Sequence, residues 1–346
     1  MVADRLRSVG ARAVSTMLRG RVADGLVAAI ERVAPSRRGT LVVLTYHRVD
    51  LPDARPGLLP GLISASPTRF AEQIDGLVRF AQPVSLQDVL DALRRPTRLP
   101  DRAVLVTFDD AYRDFAVHAW PALRAAGVPV TLFVPTAYAD GTRPGFWWDR
   151  LWAAVRLTSR ESLPDSPIGP RRLRTARERS SALASLRTRF KSLAHDAAMR
   201  EVEGLITALA PSVADAASEV LRWDELRRLS AEGVTLAPHT RTHPMLDRLP
   251  LAEAVAEIAG AREDLEREVG RTPAALAYPS GGHGGDAVEA ARRAGMTLAF
   301  TTVRGGNDLR HADPLRLRRI NVGQRAHTPL LRAELLWAST ILGSRS

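Results

Sequence analysis

A chain of 346 residues with 45% hydrophobic content can form one large domain or two small ones around a packed core. It has no cysteine, which excludes disulfides and thiolate ligands, so any bound metal must be held by histidine and carboxylate. The net charge of +11 is almost wholly arginine, because Lys191 is the only lysine; scattered cations, 5% aromatics and no recognisable binding module argue against nucleic acid and leave an anionic glycan or membrane surface as partners. In chain order, the first element predicted is an amphipathic basic helix. Leu6, Val9, Ala13, Met17, Val22, Leu26, Ile30 and Val33 recur at near-helical spacing with arginines between them. Such a helix packs on the domain or on a partner, or lies peripherally on an anionic membrane. Arg12, Arg19 and Arg21 interrupt any export-signal core, and no stretch approaches the roughly 20 apolar residues of a membrane span. A cytoplasmic protein, or one resting on the inner membrane face, is therefore expected.

After this segment, short apolar and β-branched runs alternate with helical patterns. The runs are Leu41 to Tyr46, Ala103 to Phe108, Val128 to Val134, Val234 to Ala237, Ala274 to Tyr278 and Leu298 to Val303. The helical patterns are Phe70 to Phe80, Tyr112 to Ala126, Ala252 to Val269 and Asp286 to Ala294. This alternation predicts an α/β fold with a mostly parallel sheet, closed or nearly closed into a barrel. Catalytic residues of such barrels sit at the C-terminal strand ends, where His47, Asp109, Asp110, His239 and the segment after Tyr278 all fall. The expected organisation is an N-terminal helical segment (1–37), a barrel (38–325) interrupted by a helical insertion (141–222), and a C-terminal helix (326–346). Helical periodicity runs from Arg177 to Ala208 within the insertion. Its first part, Phe146-Trp147-Trp148-Asp149, reads either as an anchor on the barrel or as a wall on which a sugar stacks.

Two distant segments carry the chemistry. Thr107-Phe108-Asp109-Asp110 supplies adjacent carboxylates, and His239-Thr240-Arg241-Thr242-His243 supplies two imidazoles. A catalytic zinc site takes three such ligands and keeps a fourth position for water. Two His and one Asp meet that count, and the spare Asp can take a proton from the attacking water. Taken singly, each has a plainer reading: Asp109-Asp110 as a strand-end turn or helix N-cap, the histidines as a polar loop, His47 as a buried hydrogen-bonded residue. Their joint occurrence points to catalysis.

With these residues in view, the chain resembles the polysaccharide deacetylases of the NodB-homology type, carbohydrate esterase family 4. Thr107 to Asp110 matches the family's first motif, His239 to His243 its second, and Leu276-Ala277-Tyr278-Pro279-Ser280-Gly281 a variant of its third. The resemblance covers roughly residues 40 to 322 without the insertion. It implies an irregular (β/α) barrel that hydrolyses the N-acetyl group of an amino sugar, usually N-acetylglucosamine in a glycan. It further implies Asp109 as base, Asp110, His239 and His243 as ligands of a divalent metal such as Zn²⁺, and a backbone N–H at Ser280 for the oxyanion.

Two departures from the family pattern shape the remaining expectations. Its C-terminal Leu-x-x-His element has no counterpart, since Leu315 to Val322 contains no histidine; Tyr46-His47-Arg48-Val49 resembles the Tyr-His element of a subgroup in which an early histidine protonates the leaving amine, and that resemblance implies His47 as the acid. Ala277 stands where many relatives carry an arginine that orients the base, and Arg319 is the candidate replacement, against plain surface charge. His118 and His195 are expected to be structural or solvated, and His311 and His327 receive no role. His283, just past the third motif, is a candidate for touching substrate, and Tyr112 and Arg113 line the pocket or begin a helix. Two other functions stay open: a noncatalytic glycan-binding relative, and a metal hydrolase of another amide or ester.

Overall fold

The computed structural model describes residues 39–51, 59–96, 99–163, 166–209 and 220–340. The N-terminal helix expected over 1–37 and the last six residues of the C-terminal one lie outside the described residues. Seven parallel strands form the main path: β1 Thr40–Tyr46, β2 Ala103–Phe108, β3 Val130–Val134, β4 Thr235–Pro238, β5 Ala275–Ala277, β6 Leu298–Arg304 and β7 Leu317–Asn321. Their spatial order is β5-β6-β7-β1-β2-β3-β4, so every strand but β4 pairs with its successor, and the last pairs with the first. Only β4 and β5 lack a shared ladder, which makes the sheet a nearly closed barrel, as the alternation of elements predicts.

Residues of one parity point into the barrel and those of the other face the helices. Leu41, Val43, Leu105, Phe133, Ala237, Ala277, Phe300 and Leu317 form the inner cluster. Val42, Leu44, Val104, Val106, Leu132 and Leu236 pack outward. Burial on both faces explains why the strands read as continuous apolar runs.

Helices α1 (Pro67–Phe80), α2 (Leu86–Ala92), α3 (Trp120–Ala125), α4 (Trp147–Leu157), α5 (Ala176–Ser192), α6 (His195–Leu209), α7 (Trp223–Ala231), α8 (Leu251–Val269), α9 (Gly285–Arg293) and α10 (Thr328–Thr340) complete the fold. Ser66 caps α1 by accepting from the Arg69 N–H, and Pro67 occupies its first turn, where no N–H is required. Three sequence expectations are refined by the structure. The helix expected over 112–126 is present from 113 to 125, with a π-helical turn at Phe115–Ala119 leading into α3. Pro121 has no N–H for the ladder, and the Trp120 N–H reaches back to Phe115 O. The periodicity over 177–208 divides at an extended Leu193 into α5 and α6. The predicted strand from Val128 begins at Val130, because the Val128 N–H turns back to Leu123 O past Gly127 at φ 64°.

Between β3 and β4 stand α4 to α6, with a short antiparallel pairing of Ser162–Leu163 and Arg171–Arg172 that periodicity did not predict. They share an apolar cluster of their own, including Leu151, Leu163, Leu186, Phe190 and Val202. No helix among the described residues is long and apolar enough to cross a membrane.

Helix α10 seals the barrel beside α1. The Gln73 amide donates to Ala326 O, and the Thr328 hydroxyl donates to Glu72 O at 3.1 Å. Gly76 is the close-approach point, since a Cβ there would lie 2.3 Å from Thr328 Cγ2. Alanine gains about 1 kcal/mol of helix propensity over glycine, whereas overpacking costs about 1–3 kcal/mol. Gly76→Ala is therefore expected to lower the urea midpoint, and a raised midpoint would show that the two helices part freely.

Candidate active site

The inward parity that is apolar at the barrel's base turns polar at its C-terminal rim. Leu41 and Val43 are followed on the same face by Thr45 and His47, Ala103 and Leu105 by Thr107 and Asp109, Ala237 by His239, and Leu317 by Arg319 and Asn321. Thr45, His47, Asp109, His239, Arg319 and Asn321 all line one cavity of about 190 Å³ at that rim. Asp110 is off parity and enters by backbone conformation, with φ 72°. Among the described residues six non-glycine residues have positive φ, and five of them, Asp110, Ala111, Thr240, His243 and Ser280, belong to this rim. Backbone strain of about 1–3 kcal/mol per residue persists only where the surroundings enforce it.

Those surroundings are visible at the His239–His243 loop. Glu257 of α8 accepts from the Arg241 and Thr242 N–H groups at 2.9 and 2.8 Å and from the Thr242 hydroxyl at 2.7 Å. The His243 N–H donates to Thr240 Oγ1 at 3.1 Å. The loop is thereby clamped from behind and presents both imidazoles forward.

Asp109 is buried and gripped by Arg319, whose Nη1 and Nη2 donate to Oδ1 and Oδ2 at 2.8 Å each. Arg319 is itself fixed by donating Nε–H to Thr301 O at 2.8 Å. The sequence expectation of a replacement arginine thus corresponds to a two-pronged buried ion pair rather than surface charge. Burial works to raise the Asp109 pKa, but the Arg319 guanidinium and His239 outweigh it and hold the carboxyl below its ordinary value.

Beside it, Asp110 Oδ1 faces Nε2 of His239 at 3.5 Å and Nε2 of His243 at 3.2 Å. The three side chains are buried, and one ligand atom from each lies within 4.8 Å of the others. Oδ1 is buried yet accepts no hydrogen bond, a lone pair left for a cation. His239 Nδ1 sits 2.7 Å from Ala277 O. A carbonyl only accepts, so Nδ1 carries a proton, and it is Nε2 that faces the site, offering a lone pair in the neutral ring. This donor set fits a divalent metal ion. Burial opposes ionisation of Asp110, and the two imidazoles overcome it, holding its pKa well below the usual carboxylate range. Burial holds His243 below the ordinary imidazole value, while the pull of Asp110 and Asp109 overcomes burial and raises His239.

The aromatic stretch at the head of the insertion divides its labour. Phe146 and Trp148 are buried and stacked at 4.5 Å, and the Trp148 ring lies 4.8 Å from that of His243. Trp148 Nε1 donates to the Tyr112 hydroxyl at 2.9 Å, which donates to Asp149 Oδ2 at 2.7 Å. Burial, then the charges of Asp149 and Asp110, push the Tyr112 pKa well up, so the hydroxyl keeps the proton it donates. Arg48 covers the Tyr112 ring at 4.1 Å and pairs with Asp114 at 2.8 Å. These residues anchor the insertion and back the His243 ring, and Trp148 lines the cavity together with half-buried Trp147.

Of the residues expected from sequence, His47, Asp109, Asp110, His239, His243, Ser280 and Arg319 all line this one cavity. Ser280 is exposed in a left-handed conformation, φ 53°, and its N–H makes no hydrogen bond within the described residues. His283 does not line the cavity; its Nδ1 lies 2.6 Å from Gly281 O. Sequence reasoning missed Arg187 and Lys191 of the insertion, together with Leu62 and Thr302. The signal available for Lys191 was its status as the chain's only lysine.

The family model for polysaccharide deacetylase matches residues 97–299, more than half of the chain. A comparison with curated proteins gives no match. Among solved structures, the Streptococcus pyogenes deacetylase PplD in complex with acetate has a TM-score of 0.57 at 18% identity, over 87% of this chain and 98% of that one. IcaB from Ammonifex degensii has a TM-score of 0.55 at 21% identity, covering 86% of this chain and 97% of its own. The deacetylase domain of BpsB from Bordetella bronchiseptica has 0.54 at 18%, covering 84% and 98%. At these identities the likeness is one of fold.

Proposed function

The chain belongs to the polysaccharide deacetylase family, and from that premise we propose that it is a metal-dependent hydrolase, with zinc as the ion, that removes N-acetyl groups from N-acetylglucosamine-type amino sugars of a glycan or glycan precursor. The observation that carries this reading is the juxtaposition, in one rim cavity, of an arginine-held carboxylate at Asp109 with the buried trio Asp110, His239 and His243.

In this reading Asp110, His239 and His243 hold the ion, and a donor set of two imidazoles and one carboxylate suits zinc. The bound ion supplies Lewis acidity toward the acetamide carbonyl and the attacking water. Asp109 takes the proton of that water, and the Arg319 fork keeps both its oxygens in one orientation. The unbonded N–H of Ser280 is the donor assigned to the developing oxyanion. His47, whose own N–H is held by Ser64 Oγ at 3.0 Å, gives its ring proton to the departing amine. The products balance as acetate and a free amino sugar.

The test is acetate release from N-acetylglucosamine oligosaccharides, before and after chelation and after zinc is restored. Release that disappears with chelator and returns with zinc is expected. Metal-loaded protein that binds the glycan but liberates no acetate would favour the noncatalytic reading, and release only from other amides or esters would move the substrate class.

A further inference from the structure

Helix α5 turns two cations toward the active-site cavity, Arg187 and Lys191, one helical turn apart. Four neighbouring arginines of the insertion have partners. Arg189 pairs with Glu201 at 2.9 Å, Arg174 with Glu161 at 2.9 Å, and Arg150 with Glu203, while Arg179 donates to Thr158 O at 3.1 Å. Arg187 and Lys191 make no hydrogen bond or ion pair among the described residues, and Arg187 Nε is buried without an acceptor. Like charges at i and i+4 destabilise a helix, and a buried donor left unpaired costs free energy. Burial, then the neighbouring Arg187, lower the Lys191 pKa, with Asp110 pulling the other way. Both cations lack a counter-charge that the protein supplies to their neighbours.

A ligand that brings negative charge satisfies them together. A carboxylate is saturated by one arginine fork, whereas a phosphoryl group offers more charge and three acceptor oxygens, enough for a fork and an ammonium at once. We propose that Arg187 and Lys191 form an anion subsite in the wall of the active-site cavity, and that the amino sugar deacetylated here carries a phosphoryl group on or beside the ring that enters. The proposal rests on the deacetylase reading for the reaction but not for the binding. A sugar phosphate, a nucleotide-linked sugar and a lipid-linked sugar share this chemistry.

The test compares kcat/KM, by acetate release, for N-acetylglucosamine 1-phosphate and for the neutral methyl glycoside of N-acetylglucosamine. A preference of about tenfold per cation is expected for the phosphorylated sugar, falling as salt rises. Arg187→Gln with Lys191→Gln should bring the ratio toward one, mainly through KM, while Lys191→Arg keeps it. Equal kcat/KM for the two sugars, or a preference untouched by the double substitution, overturns the subsite. Equilibrium binding of the 1-phosphate to wild-type and doubly substituted protein separates the two readings. Binding that depends on both cations without acetate release supports the subsite and overturns the deacetylase reading, whereas cation-independent binding overturns the subsite. Nucleotide-linked and lipid-linked forms of the sugar, run in parallel, identify the source of the phosphoryl group by the higher kcat/KM.

Discussion

Asp110→Ala is expected to yield folded protein without metal and without measurable turnover. Wild-type protein purified without chelator should carry about one divalent ion per chain by elemental analysis, as three protein ligands imply. The substitution removes the anionic member of the trio, whose Oδ1 faces both imidazoles and accepts nothing else. The two histidines stay in place by other means, His239 through Ala277 O and His243 through its loop and the Trp148 ring. Loss of metal can therefore be separated from loss of fold by comparing circular dichroism of the two proteins. A variant that keeps its ion at wild-type stoichiometry would mean that these three residues are not the ligands.

Asp109→Asn is expected to keep the metal and lose about 10²- to 10⁴-fold in kcat, the range for removal of a general base. The amide is nearly isosteric but cannot accept a proton, and its NH₂ meets a guanidinium that also donates. The paired measurement is the pH dependence of kcat/KM. As the proposed base Asp109 would act ionised, and against the opposing effect of burial Arg319 and His239 hold its pKa below the ordinary value, so the acid limb is expected at low pH. Arg319→Gln removes the main charge opposing the effect of burial, the Asp109 pKa rises, and the limb moves to higher pH. Wild-type turnover in Asp109→Asn, or an unmoved limb in Arg319→Gln protein that remains folded, would remove Asp109 from the role of base.

Much of this site was legible because strands alternate. Once Leu41 to Tyr46 and Ala103 to Phe108 are read as buried strands, His47 and Asp109 fall on the inner parity, and the paired motifs supply the rest. Arg319 was also within reach: Ala277 left the base without its usual partner, and the arginine two positions after inward Leu317 shares that residue's face. Asp110, His243 and Ser280 were found by motif alone, because left-handed backbone lies outside any periodicity. What could not be read was the docking of the insertion. Helical spacing identifies an apolar stripe on α5, but which of its polar residues reach the cavity depends on how the whole insertion sits on the barrel. The division of Phe146-Trp147-Trp148 between anchor and cavity wall depends on the same placement, as does the cavity-facing position of Arg187 and Lys191.

The barrel wall has one seam, between β4 and β5, where no ladder joins the strands. Near its mouth the seam is crossed by the His239 imidazole, rooted at the end of one strand and bonded to the last carbonyl of the other. One ring is thus both a stave of the wall and a tooth of the site. With His239 as a metal ligand, as proposed, a substitution there would open the cask and unseat the ion at once, tying architecture to chemistry at a single ring.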